Sequence, residues 1–204
     1  MKITYFGHAC FKIESKDTSF LFDPFKDIGY DMKKTSADIV FCSHSHFDHN
    51  ATDRVQSKRV IDSIIEEEYN GLKISTLSCF HDEVKGAKRG INYAYKVIAN
   101  DTTFVHLGDT GEITSEVIAF VKNADILFIP VGGTYTIDSK QAKELIEKSN
   151  AKYIIPMHYK TEKSNINITP LSTFTCLFDK VNYHPSCISF DNLNSGINVL
   201  EIEE

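Results

Sequence analysis

The sequence lacks any apolar run long enough to cross a bilayer. Its longest uncharged stretches span residues 126–137 and 166–178, and both contain proline and polar groups. A transmembrane helix needs roughly 18 to 20 apolar residues, so no membrane span is expected. The N-terminal segment, MKITYFGHACFKIES, also lacks the continuous apolar part of a secretory signal. These absences favour a cytoplasmic protein.

The sequence also lacks an excess of positive charge. It contains 22 Lys and Arg residues against 28 Asp and Glu residues, for a net charge of −6. A protein that binds nucleic acid through its net charge is positively charged, so a nucleic-acid partner is not expected. A small substrate that carries phosphate remains compatible with this balance.

A disulfide framework is not expected either. The five cysteines are odd in number and widely spaced, and no export signal precedes them. Free thiols in a reducing compartment are therefore the prediction.

Composition and length indicate one globular domain. Of the 204 residues, 42% are apolar and 25% are charged, which is close to globular averages and excludes wholesale disorder or a fibrous protein. No repeat of 20 to 50 residues and no linker interrupts the chain. We expect a single domain over residues 1–204, and a homo-oligomer is compatible with this size.

Apolar periodicity predicts many strands and few helices. Strand-like runs cover residues 3–5, 10–14, 19–22, 38–42, 72–80, 91–98, 102–107, 126–130 and 153–156. Helices are predicted from Ser115 and from Asp138 or Ser139, where capping residues precede apolar positions at helical spacing. The tail is less regular, with a helix over 171–178 and strands over 187–190 and 197–202. This order favours two sheets packed face to face and covered by helices.

The strongest functional signal is the hexapeptide His44-Ser45-His46-Phe47-Asp48-His49, which follows an apolar strand. Three imidazoles and a carboxylate at a strand end each need a partner, and a divalent metal ion can serve all of them. Imidazole and carboxylate ligands together suit zinc, and they also suit iron or manganese. The loop can direct His44 and His46 to one metal ion and Asp48 and His49 to a second.

One loop cannot complete two coordination spheres, so further ligands are expected at other strand ends. The candidates are His81, His106, Asp109 and His158, each of which follows an apolar run.

At this point the sequence resembles the metallo-β-lactamase superfamily, and in particular its branch of ascorbate-phosphate lactonases and N-acylphosphatidylethanolamine phospholipases D. The resemblance extends from Ile3 to about Thr161. It depends on ordered motifs: ITYFGHACFKIE, LFDPF, HSHFDH, FHDEVKGAKRGINYAY, HLGDTG, FIPVGGTYTIDSKQA and IPMHYKT. It implies an α/β protein, a four-layered αββα sandwich with a dinuclear metal site at one sheet edge.

The resemblance also implies a ligand set. His44, His46 and His81 match the ligands of a first metal ion; Asp48, His49 and His158 match those of a second; and Asp109 matches the carboxylate that bridges both. His106 is not a ligand in that pattern and is expected to be a packed strand residue. His8 matches a position near the metal cleft, and we expect it to contact substrate or to support a ligand.

The implied activity is metal-dependent hydrolysis of a small, anionic ester, lactone, amide or phosphodiester. Metal ions acidify bound water, so hydroxide becomes available at neutral pH to attack the substrate. Asp48 would orient this nucleophile. Asp23 is either a turn carboxylate or an acceptor for a ligand imidazole, and Arg89, in the GAKRG segment, either holds an anionic substrate group or belongs to a solvated basic loop.

Three further kinds of protein share this fold. A di-iron redox protein is disfavoured because His46 stands where those proteins carry a carboxylate, and an RNA-processing nuclease is disfavoured by the acidic charge and the absence of a basic arm. A non-catalytic metal-binding protein is disfavoured because all seven ligand positions hold metal-binding residues.

Overall fold

Two β-sheets contain the fourteen strands found within residues 1–203, the part of the chain that this computed structural model describes. The strands are β1 (Lys2–Gly7), β2 (Cys10–Glu14), β3 (Ser19–Phe22), β4 (Thr35–Phe41), β5 (Val55–Ile61), β6 (Glu66–Tyr69), β7 (Leu72–Phe80), β8 (Ile91–Ala99), β9 (Thr102–His106), β10 (Ile126–Pro130), β11 (Tyr153–Met157), β12 (Val181–His184), β13 (Cys187–Ser189) and β14 (Gly196–Leu200). The helices are α1 (Ser115–Val121), α2 (Ser139–Ser149) and α3 (Ser172–Thr175).

Both sheets mix parallel and antiparallel pairing. The first sheet has the order β13-β1-β2-β3-β4-β5, and the second has the order β12-β14-β11-β10-β9-β8-β7-β6. In the first sheet β3, β4 and β5 are parallel, whereas β1–β2 and β2–β3 are antiparallel. In the second sheet β9, β10 and β11 are parallel, whereas β7–β8 and β8–β9 are antiparallel.

Aromatic side chains fill the space between the sheets. Phe20 and Phe22 of β3 are fully buried and point toward the second sheet. Phe20 meets Phe104 of β9 edge to face, with 5.6 Å between ring centroids, and Phe22 lies 6.1 Å from Phe128 of β10. Burial of these large rings removes apolar surface from water and stabilises the packing of the two sheets against each other.

The outer layers are different on the two sheets. On the second sheet α1 and α2 pack against each other, and α2 begins with a capping box in which Asp138 and Gln141 satisfy each other's backbone N–H groups. On the first sheet the outer face is covered by Phe25, Ile28 and Met32 of the segment 24–34, which forms no regular helix. The αββα sandwich expected from the resemblance is confirmed.

The topology brings several strand ends to one edge of the sandwich. Strands β1, β3 and β4 run in the same direction, because β1 and β3 are each antiparallel to β2 and β3 is parallel to β4. In the second sheet β7, β9 and β11 also share a direction. The predicted site residues follow the carboxyl ends of these strands, so the fold gathers residues that are distant in sequence.

No helix among residues 1–203 is both long enough and apolar enough to span a membrane. All five cysteines are free, as the sequence predicted.

His106, the last residue of β9, is a packed strand residue. Its ring stacks on Phe22, with centroids 4.6 Å apart and planes 12° apart. Its Nε2–H donates to the carbonyl oxygen of Ala9 over 2.9 Å, and its Nδ1 accepts from the N–H of Gly108 over 3.1 Å. Both ring nitrogens are therefore used within the protein, which leaves none for a metal ion.

We expect His106→Phe to destabilise the fold without removing metal. The change leaves the Ala9 carbonyl and the Gly108 N–H without their partner, at a cost of about 2 to 4 kcal/mol. The thermal midpoint should fall by about 5 to 15 °C for a chain of this length. Thermal unfolding and elemental analysis measure the two effects.

His184→Phe is the matched control, because His184 is only partly buried and lies on the edge strand β12. An unchanged thermal midpoint in His106→Phe would contradict this role for His106, and so would a loss of metal.

Candidate metal centre

Seven predicted ligands gather at the shared sheet edge. They belong to four loops that follow β4, β7, β9 and β11. The residues are His44, His46, Asp48, His49, His81, Asp109 and His158. Six of them are buried or half-buried, while His46 is exposed.

The first cluster consists of His44, His46 and His81. Each offers one ring nitrogen, and these three nitrogens lie within 4.8 Å of one another. The ring centroids are 4.6 Å apart for His44 and His46, 4.6 Å for His44 and His81, and 5.1 Å for His46 and His81. Three imidazoles at this spacing can converge on one ion and leave an open coordination position.

The second cluster consists of His8, Asp48, His49 and His158. Its ligand atoms also lie within 4.8 Å of one another. The Nε2 atoms of His8 and His49 lie 3.3 Å and 3.8 Å from Asp48 Oδ2. The His8 ring lies 4.3 Å from the ring of His158. Of the two roles expected for His8, contact with substrate or support of a ligand, its position against Asp48 favours support of a ligand.

Asp109 lies between the two clusters. Its Oδ1 is 3.2 Å from Nε2 of His49, and its Oδ2 is 3.3 Å from Nε2 of His81 and 3.2 Å from Nε2 of His158. One carboxylate therefore faces imidazoles from both groups. This position suits a ligand shared by two ions.

Hydrogen bonds to the far side of three imidazoles direct Nε2 toward the centre. His49 Nδ1–H donates to Asp23 Oδ2 over 2.8 Å, and His81 Nδ1–H donates to the Tyr135 carbonyl over 3.1 Å. The Ser43 hydroxyl donates to Asp23, so it accepts from Nδ1–H of His44. Each of these hydrogen bonds selects the tautomer whose Nε2 lone pair is free for a metal ion.

Asp23 therefore accepts a hydrogen bond from the imidazole of His49, a predicted ligand, and is not a simple turn residue. It follows β3, is 1% exposed, and has a positive φ of 46°. Its two oxygens accept from the Ser43 N–H, the Ser43 hydroxyl and His49. Burial alone would raise the pKa of Asp23, but the nearby imidazoles of His49 and His106 outweigh it and hold the pKa below its usual value.

Burial and neighbouring charges determine the protonation states of the residues in the centre. Burial lowers the pKa of His44 to about 2, and burial together with His158 lowers the pKa of His8 to about 4, so both imidazoles are neutral and able to bind a metal ion. Burial would also raise the pKa of Asp109, but the imidazoles of His158 and His49 hold it well below its usual value. Asp109 therefore stays ionised.

Several buried polar atoms in the centre have no hydrogen-bond partner. They are Nε2 of His44, Nε2 of His49, Oδ1 of Asp109 and Nδ1 of His158. An unpaired buried polar atom costs free energy. The ligand atoms of three of these residues, His44, His49 and Asp109, lie within 4.8 Å of one another, where a bound metal ion would pair with them. The donor set of imidazole nitrogens and carboxylate oxygens fits divalent zinc, iron or manganese.

One polar residue that was not predicted as part of the site, Asn92, supports the loop that carries Asp109. Asn92, fully buried in β8, accepts from the Asp109 N–H and donates to the Leu107 carbonyl, each over 2.8 Å. Gly108, with a φ of 52°, leaves room for this side chain, because a Cβ there would overlap Asn92 and Ser43. An asparagine inside the apolar run 91–98 was the signal that could have identified it.

Gly132 lies against the loop that carries His158. A Cβ at Gly132 would overlap the carbonyl oxygen of His158, so only glycine allows β10 and β11 to end this close together. Tyr159 is 7% exposed and packs in the core near Tyr5, with centroids 6.4 Å apart.

A cavity of about 430 Å³ opens above the two clusters. Its lining combines ligand residues with aromatic, basic and amide side chains: His46, Phe47, Asp48, His81, Arg89, Asp109, Tyr135, His158, Asn165, Ile166 and Asn167. Its size suits a molecule of metabolite dimensions. His8 is 2% exposed and lies behind Asp48, outside this lining.

A pair of packed mixed sheets with helices outside the second sheet, and with His and Asp residues clustered at one edge, defines a protein of the metallo-β-lactamase fold. Comparison with known families agrees: the profile of the beta-lactamase superfamily domain matches residues 2–158. The chain belongs to this family.

Relatives and solved structures point the same way. The chain is 32% identical to a UPF0173 metal-dependent hydrolase of Thermoplasma volcanium over 79% of this chain and 84% of that protein. It is 30% identical to a UPF0173 metal-dependent hydrolase of Carboxydothermus hydrogenoformans over 79% and 85%. The crystal structure of a candidate zinc-dependent hydrolase of the metallo-beta-lactamase superfamily from Thermotoga maritima is 35% identical, with a TM-score of 0.83 and 99% of both chains covered.

Proposed function

We propose that this chain is a dinuclear, zinc-dependent hydrolase of a small molecule, acting as one domain over residues 1–204. The substrate is an ester, a lactone, an amide or a phosphodiester. The observation that carries this proposal is the arrangement of two ligand clusters on either side of Asp109, beneath an open cavity. Relatives described as metal-dependent hydrolases support it.

The proposed ligands follow the two clusters, except that His8 is not among them. His44, His46 and His81 would hold the first ion, Asp48, His49 and His158 would hold the second, and Asp109, which faces imidazoles of both clusters, would be the shared ligand. When bound, such a pair of ions polarises the substrate and lowers the pKa of a water ligand toward about 7. Asp48 lines the cavity, where its carboxylate could accept a hydrogen bond from an attacking water and orient it.

His8 acts as a positioning residue for Asp48. Its Nε2 lies 3.3 Å from Asp48 Oδ2, and its ring packs between His49 and His158 at 4.9 Å and 4.3 Å. With Nε2 protonated, it donates to the carboxylate and fixes the direction of the other oxygen. Burial removes His8 from the cavity, so it acts on the reaction through Asp48.

Hydrolysis assays on zinc-loaded protein test this proposal. The panel is 4-nitrophenyl acetate, γ-butyrolactone, a 4-nitroanilide and bis(4-nitrophenyl) phosphate, each with and without a chelator. We expect turnover of at least one compound, its loss on chelation, and its return with added zinc. His8→Asn should keep its zinc but lower kcat about 10- to 100-fold, as expected for removal of a residue that orients a ligand.

His184→Asn is the matched control, because His184 lies on the edge strand β12, bonds Asn198 and is neither a proposed ligand nor part of the cavity lining. Turnover that survives chelation would contradict a metal-dependent mechanism. Full zinc occupancy with no turnover of any compound would favour a non-catalytic metal-binding protein. Native iron with redox activity would favour a di-iron redox protein, and cleavage of RNA would favour an RNA-processing nuclease.

A further inference from the structure

Arg89, on the wall of the cavity, is a cation with no acidic partner among residues 1–203. Residues 85–90 include three basic residues, Lys85, Lys88 and Arg89, but only Arg89 lines the cavity above the two clusters. Lys88 pairs with Glu83 in solvent, 2.5 Å away. No Asp or Glu side chain within residues 1–203 forms an ion pair with Arg89, whose side chain contacts the Tyr135 ring.

The loop that carries Arg89 is held by a buried carboxylate. Asp82, which is 1% exposed, accepts backbone N–H groups from Val84, Gly86, Lys88 and Arg89 at 2.8 to 2.9 Å. Four such hydrogen bonds to one carboxylate fold residues 82–89 around it, and ionised acceptors make strong hydrogen bonds. The segment is therefore an ordered loop that fixes the Cα of Arg89, rather than a solvated basic loop.

Tyr135 holds the other end of the arginine. The Arg89 guanidinium carbon lies 5.0 Å from the centroid of the Tyr135 ring, a cation–π contact. The Tyr135 carbonyl accepts from His81 Nδ1–H, so the same residue supports the guanidinium and a ligand imidazole. Since Asp82 also directly follows His81, Arg89 is tied to the first cluster from both sides.

We propose that Arg89 binds a second oxyanion of the substrate, a carboxylate or phosphate group separate from the bond that is hydrolysed. A planar guanidinium with free N–H groups binds carboxylate and phosphate through paired hydrogen bonds. Phe47 and Ile166 contribute apolar surface to the same cavity. The substrate class is thus an anionic ester, lactone or amide of metabolite size. This inference rests on the proposed function, because the first contact of the substrate is with the metal ions.

Binding of matched mono- and dicarboxylates tests it. Butyrate, valerate and hexanoate imitate a product held only by the metal ions. Succinate, glutarate and adipate carry a second carboxylate at three different distances from the first. Isothermal titration of zinc-loaded protein should show at least one dicarboxylate binding about tenfold or more tightly than the monocarboxylate with the same number of carbons. A parallel titration with 3-phosphonopropionate against succinate distinguishes phosphate from carboxylate.

Variants identify the residue responsible. Arg89→Gln should remove the preference for the dianion and leave monocarboxylate affinity and zinc content unchanged, while Arg89→Lys should retain part of it as a point charge. Lys88→Gln, in the same loop but outside the cavity, is the matched control and should behave as wild type.

Zinc retained with no dianion preference in the wild type, or a preference that survives in Arg89→Gln, would overturn this inference and leave the proposed hydrolase intact. Failure of the wild type to hold zinc would overturn both.

Discussion

Replacing Asp109 with alanine will release metal from both clusters and abolish hydrolysis. Asp109 is the only carboxylate within residues 1–203 whose oxygens lie within 3.3 Å of imidazoles from both clusters. Its removal takes away a shared ligand and the negative charge that faces His49, His81 and His158. We expect metal occupancy below about a tenth of wild type, because ligand loss weakens both sites together.

Elemental mass spectrometry on the variant and the wild type, prepared side by side, measures this effect. Asp109→Asn keeps the shape of the side chain and removes its charge, so it separates loss of ligation from disturbed packing. Asp101→Ala, in the turn between β8 and β9, is the matched control. A metal-replete and fully active Asp109→Ala would contradict the assignment of the bridging ligand.

Replacing Asp23 with asparagine will weaken metal binding although Asp23 touches no metal. Its carboxylate accepts three donors, at 2.7 Å from the Ser43 N–H, 2.8 Å from the Ser43 hydroxyl and 2.8 Å from His49. An amide presents an NH₂ group to at least one of these donors, so His49 and Ser43 lose their fixed orientation. We expect metal affinity to fall about 10- to 100-fold.

The same change will destabilise the fold, because a buried polar network is left unsatisfied. The expected loss is about 2 to 4 kcal/mol in the free energy of unfolding. Competition with a chelator of known affinity measures the first effect, and thermal unfolding of metal-free protein measures the second. Asp53→Asn is the matched control, since the Asp53 side chain is 62% exposed and pairs with Lys26 at the surface. Equal metal affinity in Asp23→Asn and wild type would contradict the orienting role.

Strands in the centre of the sheets could be predicted from the sequence. The predicted runs 10–14, 19–22, 72–80 and 126–130 coincide with β2, β3, β7 and β10. These strands have long apolar stretches or clear alternation because at least one face is buried. Two edge strands, β5 of the first sheet and β6 of the second sheet, were missed. β6 has the sequence EEEY, and β5 alternates exposed polar residues with few apolar ones, so neither carries a strong apolar pattern.

The tail was predicted less well. The helix expected over 171–178 is only Ser172–Thr175, and β12 was not predicted at all. β12 pairs with β14 at the outer edge of the second sheet, where few of its residues are buried. It forms a strand because of this pairing and not because of a local sequence preference.

The predicted site residues come together in the structure, because each follows a strand whose end lies at the shared edge. The end of an apolar strand can be predicted from the sequence, and so the polar residues that follow it can be recognised as candidate ligands. The supporting contacts were not predictable in the same way. The four hydrogen bonds to Asp82 and the contact of His8 with Asp48 depend on loop conformation. Loop conformation is determined by contacts that are distant in sequence.

The metal content of the wild-type chain tests the central claim most directly. Protein purified without an affinity tag or added metal is analysed by elemental mass spectrometry, beside His46→Ala and Asp109→Ala. The dinuclear assignment predicts about two zinc ions per chain, with a clear loss in both variants. A wild-type chain that holds no metal, and takes up none on reconstitution, would contradict the account.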